Sequence, residues 1–133
     1  MEMNQIRIPV RNETGTARSV MEARKAAMAI GFDEIVSQMI ATAVSELANN
    51  IIKYAGCGEI LMDRINIGSR TGIQVIARDR GPGIEDIQQA MADHYSSGNT
   101  LGLGLPGVKR MMDEFELTSE PDKRTTVTIR KWL

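Results

Sequence analysis

The sequence predicts an α/β fold, an α+β two-layer sandwich in which helices cover one face of a mixed, mostly antiparallel sheet. Three observations predict it. Two long stretches in the first half carry apolar residues at helical spacing, two pairs of short stretches alternate with period two and are joined by turn signals, and no repeat or low-complexity linker divides the 133 residues.

In order, Gln5 to Val10 alternates like a short strand. From about Thr16 to Ile30 the residues Val20, Ala23, Ala27 and Ile30 fall on one helical face, and Gly31 is a stop signal. Asp33 is positioned to cap a second helix, whose stripe runs through Val36, Ile40, Ala43, Val44, Leu47, Ile51 and Tyr54 and ends at Gly56 and Gly58. Glu59 to Ile67 and Gly72 to Asp79 read as strands joined by a turn around Gly68-Ser69-Arg70-Thr71. A short helix is expected from about Glu85 to Asp93. Tyr95 to Gly104, rich in glycine and small polar residues, reads as a mobile loop. Pro106 suits the first turn of a further helix with a stripe of Leu105, Val108, Met112 and Phe115. Glu116 to Ser119 and Thr125 to Trp132 form a closing hairpin around Pro121-Asp122-Lys123.

Length and composition narrow the function. With 42% hydrophobic residues, the chain suffices for one domain, residues 1–133, with a real core. A formal net charge of −1 supplies no field to draw it onto nucleic acid or an anionic membrane, so neither is an expected partner. No apolar stretch approaches the ~20 residues of a membrane span, and the N-terminus lacks a basic region followed by an apolar run. Cys57 is the single cysteine, which rules out an intrachain disulfide. A cytoplasmic enzyme or binding module is the class that remains.

Glu46 and Asn50, four residues apart in Ser45-Glu46-Leu47-Ala48-Asn49-Asn50, share a helix face. The apolar stripe is centred roughly 90° away at ~100° per residue, which sets both at the border of the buried face. There a carboxylate can act as a general base or approach a metal. The alternative is a solvated helix flank.

Asp79 closes a strand in which alternation turns it inward with Ile73, Val75 and Ala77. An inward carboxylate is costly unless paired. With Gly81-Pro82-Gly83 following, it can accept from a ligand amino group while Gly81 and Gly83 let the backbone approach; capping of local amides in a turn is the competing reading. Gly102-Leu103-Gly104 precedes a Pro-initiated helix, the setting in which backbone N–H groups face a phosphate. It matches neither the Lys-containing phosphate loop nor the dinucleotide fingerprint. Lys109 and Arg110 follow one turn into that helix, as phosphate contacts or, the favoured reading, as its solvated side, and His94 falls in the loop. No partners for a nucleophilic triad are arranged.

Taken in order, these segments resemble the GHKL ATPase superfamily: Glu46 and Asn50 match its N-box, Asp79 to Gly83 its Asp-x-Gly-x-Gly box, and Gly102-Leu103-Gly104 its second glycine box. The resemblance covers nearly the whole chain and implies a Bergerat-type ATP-binding fold. By it, Glu46 is catalytic, and Asn50 binds an Mg²⁺ that bridges the phosphates of ATP. Asp79 reads the adenine amino group, and the segment from Tyr95 to Gly104, with Gly102, Leu103 and Gly104, closes over the phosphates. Thr125 reaches the pocket from the last strand, although Arg124 stands where the family usually has glycine. Asn99-Thr100-Leu101 lacks the lid arginine that some members carry.

Compact size and the run from Leu103 to Phe115 resemble the anti-sigma-factor serine kinases, and among them the switch kinases of the stressosome. That resemblance implies a serine/threonine protein kinase that phosphorylates a STAS-domain protein and then activates a PP2C-type phosphatase. Two other readings stand beside it: a kinase that sequesters a sigma factor directly, and a non-catalytic ATP-dependent binding module.

Overall fold

The computed structural model describes residues 5–79, 104–119 and 124–133. Their elements run β1 (Ile6–Val10), α1 (Glu13–Ile30), α2 (Glu34–Ala55), β2 (Gly58–Ile67), β3 (Arg70–Asp79), α3 (Gly104–Met111), β4 (Glu114–Ser119) and β5 (Thr125–Trp132). The strands form one sheet in the order β1-β2-β3-β5-β4. The two-layer α/β sandwich is as expected. The sheet, expected to be mixed, is antiparallel at every pairing among the described residues.

Local chemistry sets the element ends. Asn12 caps α1 by accepting the Thr14 N–H at 2.9 Å, so the helix starts at Glu13 instead of near Thr16. Gly15 sits in that first turn because a Cβ there would lie 2.6 Å from the Pro9 carbonyl oxygen, and its absence lets α1 fold back against β1. Asp33 caps α2 by accepting the Val36 N–H at 2.8 Å, as read from the sequence. Gly31 and Gly56 end the two helices at φ +125° and +83°. Gly58 belongs to β2. The β2–β3 turn is tighter than expected: Ile67 pairs with Arg70, leaving only Gly68 and Ser69 between the strands.

The C-terminal part contains one correction. Phe115, read as the end of a helical stripe, lies in β4 opposite Ile129. The helix stops at Met111, whose carbonyl accepts from Lys131 Nζ at 3.1 Å, and the Asp113 N–H already donates to the Arg130 carbonyl. Phe115 packs on the core in either reading, which is why periodicity alone did not separate them.

The core lies between the sheet's inner face and the helices. Ile8, Val10, Ile60, Met62, Ile73, Val75, Val127 and Ile129 meet Ala23, Ala27, Ile40, Val44, Leu47 and Ile51, with Leu105 and Val108 from α3. Each fully buried large aliphatic side chain contributes about 1.5–3 kcal/mol relative to exposure. Buried small residues, Ser19, Ala23 and Ala26 on α1 and Ser37, Ala41 and Ala48 on α2, let the helices approach closely. Packed against α1, the sheet and α3 at once, α2 buries more of its circumference than its apolar stripe indicates.

Candidate functional site

Three elements converge at one end of the sandwich. From α2 come Leu47, Asn50, Ile51 and Tyr54; from the end of β3, Ala77 and Asp79; from the start of β5, Thr125 and Val127. Together they line a narrow cleft whose walls are apolar apart from Asn50, Asp79, Thr125 and the Tyr54 hydroxyl, the pattern of a ligand site that orients a flat apolar group by a few polar contacts.

Asp79 is 6% exposed and turned inward, as the alternation predicts. Its Oδ1 accepts the backbone N–H of Thr125 at 3.3 Å, a partner 46 residues away, so the carboxylate is held by the neighbouring strand and is not merely a cap for local amides. Gly58 pairs with Asp79 across the β2–β3 ladder. A Cβ on Gly58 would lie 2.5 Å from the Arg78 carbonyl oxygen, 2.9 Å from Ile51 Cγ2 and 3.0 Å from Asp79 Cβ. Glycine at this point lets α2 and the end of β3 close on each other, a role that its reading as a helix terminator missed.

Glu46 is 3% exposed on α2, which excludes a solvated flank for it; Asn50, one helical turn on, is half-buried at the cleft wall. Thr125 is 6% exposed and shares the inner face with Val127 and Ile129, as expected, while its Oγ1 lies 2.8 Å from Ser119 Oγ. Gly104 opens α3 at φ +57°. Lys109 and Arg110 are exposed on that helix. Gly81, Gly83, Gly102, Leu103 and His94, with the helix expected from Glu85 to Asp93 and most of the loop from Tyr95, lie outside the described residues.

The donor set suits a nucleotide. A buried carboxylate oxygen facing an apolar slot accepts from an amino group on a flat ring, and a half-buried amide one turn from a buried carboxylate offers an oxygen to a hard cation. Among the described residues no group of three or more His, Cys, Asp or Glu side chains could hold a metal. A site with few protein ligands is compatible with Mg²⁺, which keeps waters and takes phosphate oxygens.

Just outside the cleft, Glu59 accepts from Arg78 Nε at 2.8 Å and from Arg7 Nε. The Arg78 hydrogen bond above all, and Arg7 with it, hold the Glu59 carboxyl below its ordinary range against the opposing effect of partial burial. Sequence reading passed over this trio. The signal was the hairpin itself, which sets Glu59 opposite Arg78.

Comparison with known proteins places this geometry in a family. The model of the histidine kinase-like ATPase domain matches residues 10–131. The chain is 46% identical over 110 residues to the serine/threonine-protein kinase RsbT of Bacillus subtilis (strain 168), covering 83% of each chain. It is 34% identical over 123 residues to the anti-sigma F factor of Thermoanaerobacter sp. (strain X514), covering 88% of this chain and 83% of that one. In the solved structures, the SiaB-SiaC complex from Pseudomonas aeruginosa contains a chain that superposes with a TM-score of 0.59 at 15% identity, over 99% of this chain and 91% of that one, a likeness of fold alone. No helix among the described residues is long and apolar enough to cross a membrane. The chain belongs to the family of histidine kinase-like ATPase domains, whose members use ATP, and by its similarity to RsbT it is a protein serine/threonine kinase.

Proposed function

We propose that this kinase is a cytoplasmic, Mg-ATP-dependent switch kinase of a bacterial partner-switching pathway, which phosphorylates a serine or threonine of a STAS-domain protein and afterwards activates a PP2C-type phosphatase. The observation that carries the reading is Glu46, a carboxylate buried on α2 one turn before the half-buried Asn50 of the cleft. A pure binding module has no need of a buried base at that point.

In this reading Asp79 accepts from the adenine amino group, with Thr125 holding its carboxylate in place. Gly81 and Gly83 let the backbone pass close to the base. Asn50 is the protein's ligand to Mg²⁺, whose chemistry is to neutralise charge on the phosphates. Gly102, Leu103 and Gly104 contact the phosphates at the start of α3. Glu46 takes the proton of the attacking hydroxyl or orients it, and catalysis otherwise rests on positioning and charge neutralisation.

Incubation with each candidate STAS protein and Mg-ATP, followed by mass spectrometry, tests the proposal. A phosphorylated serine or threonine on one of them is the expected result, and unmodified substrates throughout would overturn it. A second reading, direct sequestration of a sigma factor, is favoured by the similarity to anti-sigma F factors over most of the chain. Pull-downs from the native cell separate the two: a phosphatase among the partners supports the switch kinase, a sigma factor as the main stoichiometric partner supports the rival.

A further inference from the structure

A second groove, of about 400 Å³ and within the range of ligand-binding clefts, shares Asp79 with the cleft. Four arginines line it: Arg7 from β1, Arg11 just after β1, Arg78 from β3 and Arg124 immediately before β5. Against these four positive charges the lining supplies two carboxylates, Glu59 and Asp79. Glu59 is engaged by Arg7 and Arg78, and Asp79 accepts from the Thr125 backbone. Arg11 and Arg124 are exposed, and neither forms an ion pair with a carboxylate among the described residues. On a chain whose net charge is −1, this end of the molecule is a local concentration of positive charge.

We propose that this groove is a docking site for an acidic segment of a protein partner, held by carboxylates on Arg11 and Arg124 beside the Glu59 network. The inference rests on the reading of this kinase as one that acts on a protein. Two features favour an extended acidic segment over a single small anion. The arginines come from separate strands and loops, and two of their guanidiniums are already committed to Glu59. Pro9, on the edge strand β1 and in the groove wall, has no N–H to offer an added strand, so side-chain charge and not backbone pairing must supply the grip. Arginine suits this use, since its planar fork pairs with carboxylates in two parallel hydrogen bonds.

Cys57 is exposed, lines the groove and is the only cysteine of the chain, so a fluorophore attached there reports occupancy directly. The probe is a short oligoglutamate peptide titrated into labelled protein in the absence of ATP, with an oligoglutamine peptide and inorganic phosphate as comparisons. Oligoglutamate should bind, weaken steeply with salt, and lose roughly tenfold or more in affinity in R11E/R124E. If circular dichroism shows that this variant is unfolded, the neutral R11Q/R124Q takes its place. Equal binding of oligoglutamine, displacement by phosphate at comparable concentration, or unchanged affinity in the folded variant would each overturn the proposal. Because the titration contains no ATP, a failure of phosphotransfer with peptide binding intact counts against the kinase mechanism alone. In phosphotransfer to a protein substrate, the same variants should raise KM and leave kcat unchanged.

Discussion

The Asp79 carboxylate accepts the backbone N–H of Thr125, tying the last residue of β3 to the first residue of β5. Both residues are buried, and both line the same cleft. A carboxylate fixed by a backbone donor is held in orientation by the fold itself, so in the proposed reading Asp79 is set for adenine before the nucleotide arrives.

Asp79→Asn should therefore preserve the fold while weakening ATP binding by about tenfold or more. The amide oxygen can still accept from Thr125, but the amide nitrogen then presents a donor where the adenine amino group also donates. Isothermal titration calorimetry on the folded variant checks this, and an unchanged affinity would remove Asp79 from the adenine site.

Glu46→Gln should bind Mg-ATP normally and lose about 10²–10⁴-fold in phosphotransfer, the usual contribution of a positioned general base. The amide keeps the shape of a side chain that is 3% exposed and removes only the proton acceptor. Single-turnover transfer to a protein substrate is the measurement. A wild-type rate would deny Glu46 a catalytic role.

Gly72→Ala should destabilise the protein by about 1–3 kcal/mol without touching the cleft. A Cβ at Gly72 would lie 2.3 Å from the Lys131 carbonyl oxygen and 2.9 Å from Trp132 Cε3. Trp132 is not free to move aside: its indole N–H donates to Glu114 at 2.6 Å, its backbone N–H to Asp113 at 2.8 Å, and Arg70 stacks over its ring. Urea denaturation checks the loss, and equal midpoints for the two proteins would show that the β3–β5 pairing is looser than this contact implies.

Glu59 gives a pH signature. Its carboxyl titrates lower in the folded chain than its ordinary value of 4.5. Stability from this group is thus fully present above that value and is lost as pH falls through the lower, folded one. Wild type should exceed Glu59→Gln in Tm at neutral pH, by an amount worth no more than about 1 kcal/mol because Arg7 and Arg78 are well exposed to solvent. The advantage should vanish in acid, and a difference that persists there would assign it to packing.

Much of this was legible in the sequence, for identifiable reasons. Asp33 and Gly31 act at helix ends through local chemistry, so residues alone located them. The inward turn of Asp79 and Thr125 followed from strand alternation. Gly15 and Gly58 were illegible because their purpose is a close approach to chain that is distant in sequence. The same holds for the groove: Arg7, Arg11, Arg78 and Arg124 are scattered along the chain, and only the order of strands in the sheet gathers them. Phe115 was misplaced because an inward position at a helix end and one in a strand look alike in sequence.

The position of β5 between β3 and β4 sets a schedule for assembly. Everything up to Asp79 can pair along the β1–β2–β3 part of the sheet as it emerges from the ribosome, yet Thr125, the donor that orients Asp79, belongs to a strand made some forty-six residues later. A nascent chain halted before β5 therefore holds a partial sheet with an unpaired β3 edge and a cleft without the wall that Thr125 and Val127 supply. In the proposed reading nucleotide recognition is a late event of biosynthesis, since the cleft gains its third wall only when β5 joins β3.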